Sequence, residues 1–327
     1  MNNEIMVSVC CLVYNHEKYL RQCLDGFIMQ KTNFKFEVLV HDDASTDGSA
    51  DIIREYENKY PEIIKPIYQK ENQFSKGIKI SWEYQYPRAR GKYIAVCEGD
   101  DYWTDLNKLQ KQFDLLEKDE SIAICAHAVH YVSENGDLTD KFKPNPLGVD
   151  RIYSSKEFIH QMMLTNIIPY QTSSFFFRSI FLRKLDYCIP KFFRVCKVGD
   201  VTLLLFFGHQ GNVGYIADEM SCYRMMSKNS WSARVSTNKD KLVEHKRNLI
   251  DTLFEYNEYT DHFYENEILD KINHLEFEIL CMNYEYSELK KSPYKIFFKK
   301  LSIKERLFII INAKFPRVFR LYKKLKK

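Results

Sequence analysis

Three carboxylates stand almost side by side in VCEGDDYWTDLNKLQKQ, residues 96–112: Glu98, Asp100 and Asp101. They follow directly on an apolar run that reads as a buried strand. Like charges that close repel, and each carboxylate resists leaving water, so the cluster calls for a positive partner. Four chemistries compete for it. Helix capping uses Thr104 or Asp105 as the opening residue of the next helix, with the nearby acids favouring its positive end, but needs only one of them. A glycosidase pair must flank a bond from two separated positions, not stand in tandem. A calcium loop requires the D-x-D-x-D-G series and a distal Glu, both missing here. A hard divalent cation shared with a phosphate ligand needs only one or two carboxylates, because the phosphates supply the other donors, and this reading fits best.

The elements that must position these acids alternate along the first hundred residues. VSVCCLV (7–13) is a short, nearly all-apolar run, as a parallel strand covered on both faces should be. EKYLRQCLDGFIMQK (17–31) puts Leu20, Cys23, Leu24, Phe27 and Ile28 on one helical face. FEVLVH (36–41) is a second strand, left through DDASTDGS, and 49–60 is a second helix. Residues 63–69 form a third strand weakened by Pro66, 78–90 are helical as far as Pro87, and 92–98 is a fourth strand. This alternation implies a doubly wound, mostly parallel α/β sheet with right-handed crossovers, in which ligands bind beyond the carboxyl ends of the strands. Tyr14, Asn15 and His16, then Asp42 and Asp43, then Glu98 to Asp101 all follow such ends. Three polar loops therefore converge on one edge.

Further on, 105–119 reads as a helix, 121–138 as a strand closing in an Asn-Gly turn, 172–179 as a strand, 198–211 as a buried helix opening at Gly199-Asp200, and 212–226 as extended chain. Residues 239–289 are charged and helical in period. The simplest partition is a catalytic body over 1–235 (halves 1–120 and 121–235), a helical extension over 236–290 and a tail over 291–327.

The net charge of +4 hides an asymmetry: residues 291–327 hold thirteen Lys and Arg against one acid, Glu305, so the body is acidic and the tail basic. The tail interleaves aliphatic clusters with cations, a composition suited to an anionic membrane interface and poorly suited to base stacking; no nucleic-acid partner is expected. Nine scattered cysteines without a C-x-x-C pair read as core residues of a reducing compartment. The N-terminal stretch lacks a basic segment followed by a full apolar segment, and no uncharged run is long enough to span a bilayer, so a cytoplasmic protein, peripheral on the inner face of the cell membrane, is expected.

VSVCCLVYNHEKYLRQCLDGFIMQ, FEVLVHDDASTDGSADIIREY and RGKYIAVCEGDDYWTDLNKLQKQ stand in the order and spacing that open the family 2 nucleotide-sugar glycosyltransferases, and the chain resembles that family over about residues 5–120, more weakly over 170–230. The resemblance implies a GT-A (Rossmann-like) fold and a metal-dependent, inverting transfer of a sugar from a nucleoside diphosphate donor to a glycan or lipid-linked glycan acceptor, as in bacterial polysaccharide assembly. It places Asp100 on Mn²⁺ or Mg²⁺. Glu98, standing where the family has Asp, falls at the ribose or the metal's water shell, with Asp101 beside it. Tyr14, within Val13-Tyr14-Asn15, falls where a side chain stacks on the base, and Asp42 or Asp43 where a carboxylate accepts from it. Asp200 falls at the general base, with Gly199 replacing the family's Glu, and Arg224 at the diphosphate, with Lys228 a weaker candidate. Trp103 and Trp231 are candidate acceptor platforms. Two rivals stay open: a nucleotidyltransferase on a similar sheet, although no glycine- and lysine-rich phosphate loop appears, and a non-catalytic glycan-binding protein on a degenerate scaffold.

Overall fold

A computed structural model describes residues 4–144, 148–165, 169–225 and 238–315; Trp231 and Lys228 lie outside the described residues. The chain divides into two units, the first comprising residues 4–190 and 198–225, the second 191–197 and the residues from 238 onward.

The first unit is built on one mixed sheet. In chain order its elements are β1 (Ile5–Val13), α1 (Glu17–Ile28), β2 (Lys35–Asp42), α2 (Ser49–Lys59), β3 (Ile64–Tyr68), β4 (Tyr93–Glu98), β5 (Tyr102–Trp103), α3 (Lys108–Lys118), β6 (Ile122–Val132), β7 (Leu138–Lys143), β8 (Arg151–Tyr153), α4 (Ser155–Leu164), β9 (Phe176–Arg178), α5 (Ile180–Lys184), α7 (Gly199–Gln210) and β10 (Asn212–Arg224), with α6 (Lys191–Val195) in the second unit. The strand order is β3-β2-β1-β4-β9-β6-β10-β5, with β7 beside β6 and β8 beside β10. β1, β2, β3 and β4 are mutually parallel, as are β6 and β10. β9 enters antiparallel between β4 and β6.

The apolar runs explain this order. Every residue of β1 from Val7 to Cys11 is buried, as expected of a strand covered by helices on both faces. α1 turns Leu20, Cys23, Leu24 and Phe27 onto the sheet, and α2 adds Ile52 and Ile53. The Asn135-Gly136 turn joins β6 to β7, with Gly136 at φ 94°, a left-handed conformation that glycine accepts without strain. Within 78–90 the expected helix is present over 81–88, as a π-helix, Ser81–Gln85, followed by a 3₁₀ helix, Tyr86–Arg88. Buried Gln85 fixes this path by donating from Nε2 to the carbonyls of Cys11 and Leu39, and Pro87 has no N–H with which to continue an α-helix.

The second unit is helical: α6, α8 (Lys239–Tyr259), α9 (Glu265–Asn283), α10 (Tyr286–Leu289), α11 (Tyr294–Lys300) and α12 (Ile303–Lys314). Phe277, Leu289, Phe298 and Ile309 make one of its apolar centres.

Entry into β4 depends on a close approach. Gly91 N donates to Ser8 Oγ at 2.9 Å, and Ser8 Oγ donates to the buried Glu37 at 2.7 Å. Arg90 closes the group through Nε on Glu37 at 2.8 Å. A Cβ on Gly91 would stand 2.5 Å from Ser8 N and 2.7 Å from Tyr93 O. Gly91→Ala is therefore expected to destabilise the protein by about 2 kcal/mol or more, read as a lower midpoint in equilibrium denaturation.

Candidate active site

The loops leaving β1 and β2 are stitched together. Asn15, at φ 57°, accepts from Thr46 N at 2.8 Å and donates its own N–H to Ser45 Oγ at 2.9 Å. His16 N donates to Ser49 Oγ at 2.9 Å, Glu17 N to Asp47 Oδ2 at 3.0 Å, and Gly48 N back to Glu17 Oε2 at 3.0 Å. Tyr14 rises from this seam with 45% of its surface exposed. The two acids ending β2 have different work. Both carboxylate oxygens of Asp43 are engaged, accepting from Gln73 N at 2.7 Å and Phe74 N at 3.0 Å, so Asp43 holds the segment after β3. Among the described residues Asp42 accepts only from Ser45, and burial raises its carboxyl despite that bond. Of the pair, Asp42 retains capacity for a ligand.

The acid loop arches from β4 to the far edge of the sheet. Gly99 N donates to Leu12 O at 2.9 Å and Asp101 N to Glu98 O at 3.1 Å, after which β5 pairs antiparallel with β10. None of the three acids caps α3: its N-cap position is Asn107, and Asp105 stands two residues before it, accepting from Asn107 N and pairing with Lys111, both at 2.7 Å. Arg224, at the end of β10, braces the loop. Its N–H donates to Asp101 Oδ1 at 2.9 Å, Nε to Asp100 O at 3.0 Å, Nη1 to Glu134 O at 3.1 Å and Nη2 to Gln22 Oε1 at 2.8 Å. Its guanidinium also lies 4.6 Å from the Tyr19 ring centroid. Arg224, expected at a diphosphate, is buried and bound to the loop that carries Asp100. Trp103 is a correction. Its indole is buried, donates from Nε1 to Ser173 O at 3.1 Å and meets Phe27 edge-on at 4.6 Å, so no sugar can stack on it.

Negative charge gathers where these loops meet. Glu98 is exposed but crowded by surrounding protein; that crowding, then Asp100, then Asp200 push its carboxyl up to about 8. Burial and Asp100 raise Asp101 well above the carboxylate range. Asp200, at the start of α7, accepts from Val201 N at 2.8 Å; burial raises its carboxyl and Lys143 opposes the rise. Tyr131 feels both Asp101 and Asp200 after the larger effect of burial, and Gln171 donates to its hydroxyl. Asp200 thus shares an electrostatic neighbourhood with residues a hundred positions earlier. Lys143, Tyr131, Gln22 and Glu134 were invisible in sequence: each sits in an ordinary polar or amphipathic stretch with no motif around it.

Among the described residues no three His, Cys, Asp or Glu side chains form a ready-made metal cage. The donor set nonetheless fits a hard cation that takes most of its ligands from a phosphate chain. Asp100 and Glu98 offer oxygen, the donor atom such a cation takes.

Behind Trp103 lies a buried ammonium. Lys108 Nζ sits 3.9 Å from the indole centroid and donates to Gln112 Oε1 at 2.7 Å. Burial lowers this lysine from 10.5 to about 7. Between those values the unfolded chain binds the proton that the native protein has released, so this group makes stability rise with pH across that window. Lys108→Met is expected to be more stable than the parent below pH 7, with the advantage shrinking towards pH 10, measured as the difference in denaturation midpoints.

The geometry has relatives. The model for "Glycosyl transferase family 2" matches residues 8–185, more than half the chain. An uncharacterised protein of Mycobacterium bovis is 38% identical over 169 residues, covering 50% of this chain and 46% of its own length. TuaG of Bacillus subtilis, named as a putative teichuronic acid biosynthesis glycosyltransferase, is 31% identical over 137 residues, 42% of this chain and 52% of its own. The chain therefore spans about half the length of these curated relatives. The structure of S. aureus TarS in complex with UDP-GlcNAc superposes with a TM-score of 0.58 over 94% of this chain and 81% of that one, at 17% identity, which establishes a shared GT-A fold. On the strength of the family match, this chain belongs to glycosyl transferase family 2.

Proposed function

We propose that this protein is a metal-dependent, inverting glycosyltransferase that moves a sugar from a nucleoside diphosphate donor to a hydroxyl of a glycan or lipid-linked glycan. The observation that carries the reading is the convergence of Glu98, Asp100 and Asp101 with Asp200 at the carboxyl edge of the sheet. The names of TuaG and of the UDP-GlcNAc complex of TarS support the substrate class.

In this reading Tyr14 stacks on the base and Asp42 accepts a hydrogen bond from it. Asn15 fixes the loop that presents Tyr14. Asp100, with Glu98 beside it, holds Mn²⁺ or Mg²⁺, which when bound supplies charge neutralisation for the leaving diphosphate. Asp101 and Arg224 keep the loop in place. Asp200 takes the proton of the acceptor hydroxyl while its oxygen bonds to the anomeric carbon from the face opposite the donor. The bond from that carbon to the diphosphate breaks, and its electron pair leaves with the nucleotide. A carboxyl raised by burial and restrained by Lys143 suits a base working near neutrality. The basic tail places the enzyme peripherally on an anionic membrane surface; no helix among the described residues is long and apolar enough to cross a bilayer.

Two results test the chemistry. Asp100→Ala should abolish transfer and metal-dependent donor binding, and EDTA should do the same reversibly. Asp200→Asn should keep calorimetric donor binding while losing about 100-fold or more in kcat. Full activity of Asp100→Ala in EDTA overturns the metal reading, and pyrophosphate as product in place of nucleoside diphosphate overturns glycosyl transfer. Arg224→Lys keeps the charge but not the fork of donors. It should raise the metal concentration for half-maximal activity about ten-fold, as the loss of one charge-assisted contact at the loop would, with donor KM at saturating metal little changed.

A further inference from the structure

We infer that the outward face of α12 is the surface by which this protein seats on an anionic lipid bilayer. The inference rests on the peripheral reading above and names the contact.

α12 opens with a capping box, Ser302 and Glu305, and fixes itself to the helical unit through Ile309 and Asn312, both buried. Its other side is apolar too. Ile303, Leu307 and Ile311 recur at a spacing of four and form one stripe, which Phe308 flanks and Phe315 continues. All five are exposed, Ile303 to 70% and Phe315 to 57%. A helix with one apolar face already packed inward has no folding reason to carry a second.

The charges around the stripe name its occupant. Lys304 and Lys314 fall within the same arc, and on α11 exposed Lys295, Lys299 and Lys300 surround Ile296, itself 61% exposed. None of these five lysines has a carboxylate within ion-pair distance among the described residues. Their aliphatic stems can lie along an acyl boundary while the ammonium groups reach phosphate. The sequence continues past Phe315 with twelve residues holding six cations and no acid. A second copy would bring like charge against like. Nucleic acid would meet aliphatic side chains that cannot stack. An anionic bilayer matches both the apolar row and the cations around it.

The test is flotation of the full chain with vesicles of phosphatidylcholine containing phosphatidylglycerol, against vesicles of phosphatidylcholine alone. The parent should float with the anionic vesicles only. Leu307→Glu combined with Ile311→Glu should cut the bound fraction at least about ten-fold, with an unchanged thermal midpoint because both positions are exposed. In a separate variant, Leu307→Trp should show blue-shifted emission when anionic vesicles are added. If the parent does not float, the peripheral reading itself fails and takes this one with it. If the parent floats, the double variant floats equally and the emission of the Leu307→Trp variant does not move, the face is not the contact, although peripheral attachment stands. If the double variant instead abolishes self-association seen in the parent by light scattering, the face binds a second copy and the inference is overturned.

Discussion

Mutual repulsion among carboxylates is the constraint on which the first unit turns. Glu98, Asp100, Asp101 and Asp200 are drawn to one corner, and the carboxyls of Glu98, Asp101 and Asp200 are raised, chiefly because protein surrounds them. An isolated loop carrying such a cluster would splay. Here β4 delivers it, the two-residue β5 anchors its far end to β10, and Arg224 ties its backbone to α1 and to the β6–β7 turn. The loop is held largely through main-chain atoms and through Asp101, which leaves the side chains of Glu98 and Asp100 directed to other business. In the proposed function a bound cation would answer this crowded charge.

The sheet supplies the frame for this. Parallel β1, β2 and β4 bring three loops to one edge, and the antiparallel insertion of β9 spaces β4 from β6. Behind the loop the packing is dense: Trp103 fills the space against Phe27, and Gly26 on α1 leaves room for its backbone, since a Cβ there would come within 3.0 Å of Trp103 N and O. A buried lysine over the indole is an expensive neighbour, tolerated because the ring face and Gln112 answer its charge.

Much of the frame was legible in the sequence because it is written in local patterns. Val-rich runs ended by polar loops announce parallel strands, and the glycine after Asn135 announces a hairpin. What depended on distant partners was not legible. Tyr102 and Trp103 have no periodicity to show that they pair with Ser221 and Cys222. Trp103 looks like a sugar platform until the fold buries it. The four bonds of Arg224 to the acid loop and its neighbours have no local signal in the sequence. Asp42 and Asp43 are equivalent in sequence, and only the segment after β3 separates them by occupying Asp43. That the helix over 81–88 winds as π and 3₁₀ was not legible, because Gln85 is fixed by carbonyls from two other strands.

The seam between the β1 and β2 exits has a consequence for how such a protein can change. Asn15, His16 and Glu17 on one side and Ser45, Thr46, Asp47, Gly48 and Ser49 on the other exchange bonds in both directions. Neither segment can be redrawn alone. A substitution among the hydroxyl residues of the second would tilt the aromatic ring carried by the first, so the two segments are inherited as a block, and variants that alter their path should arise as paired replacements across the seam.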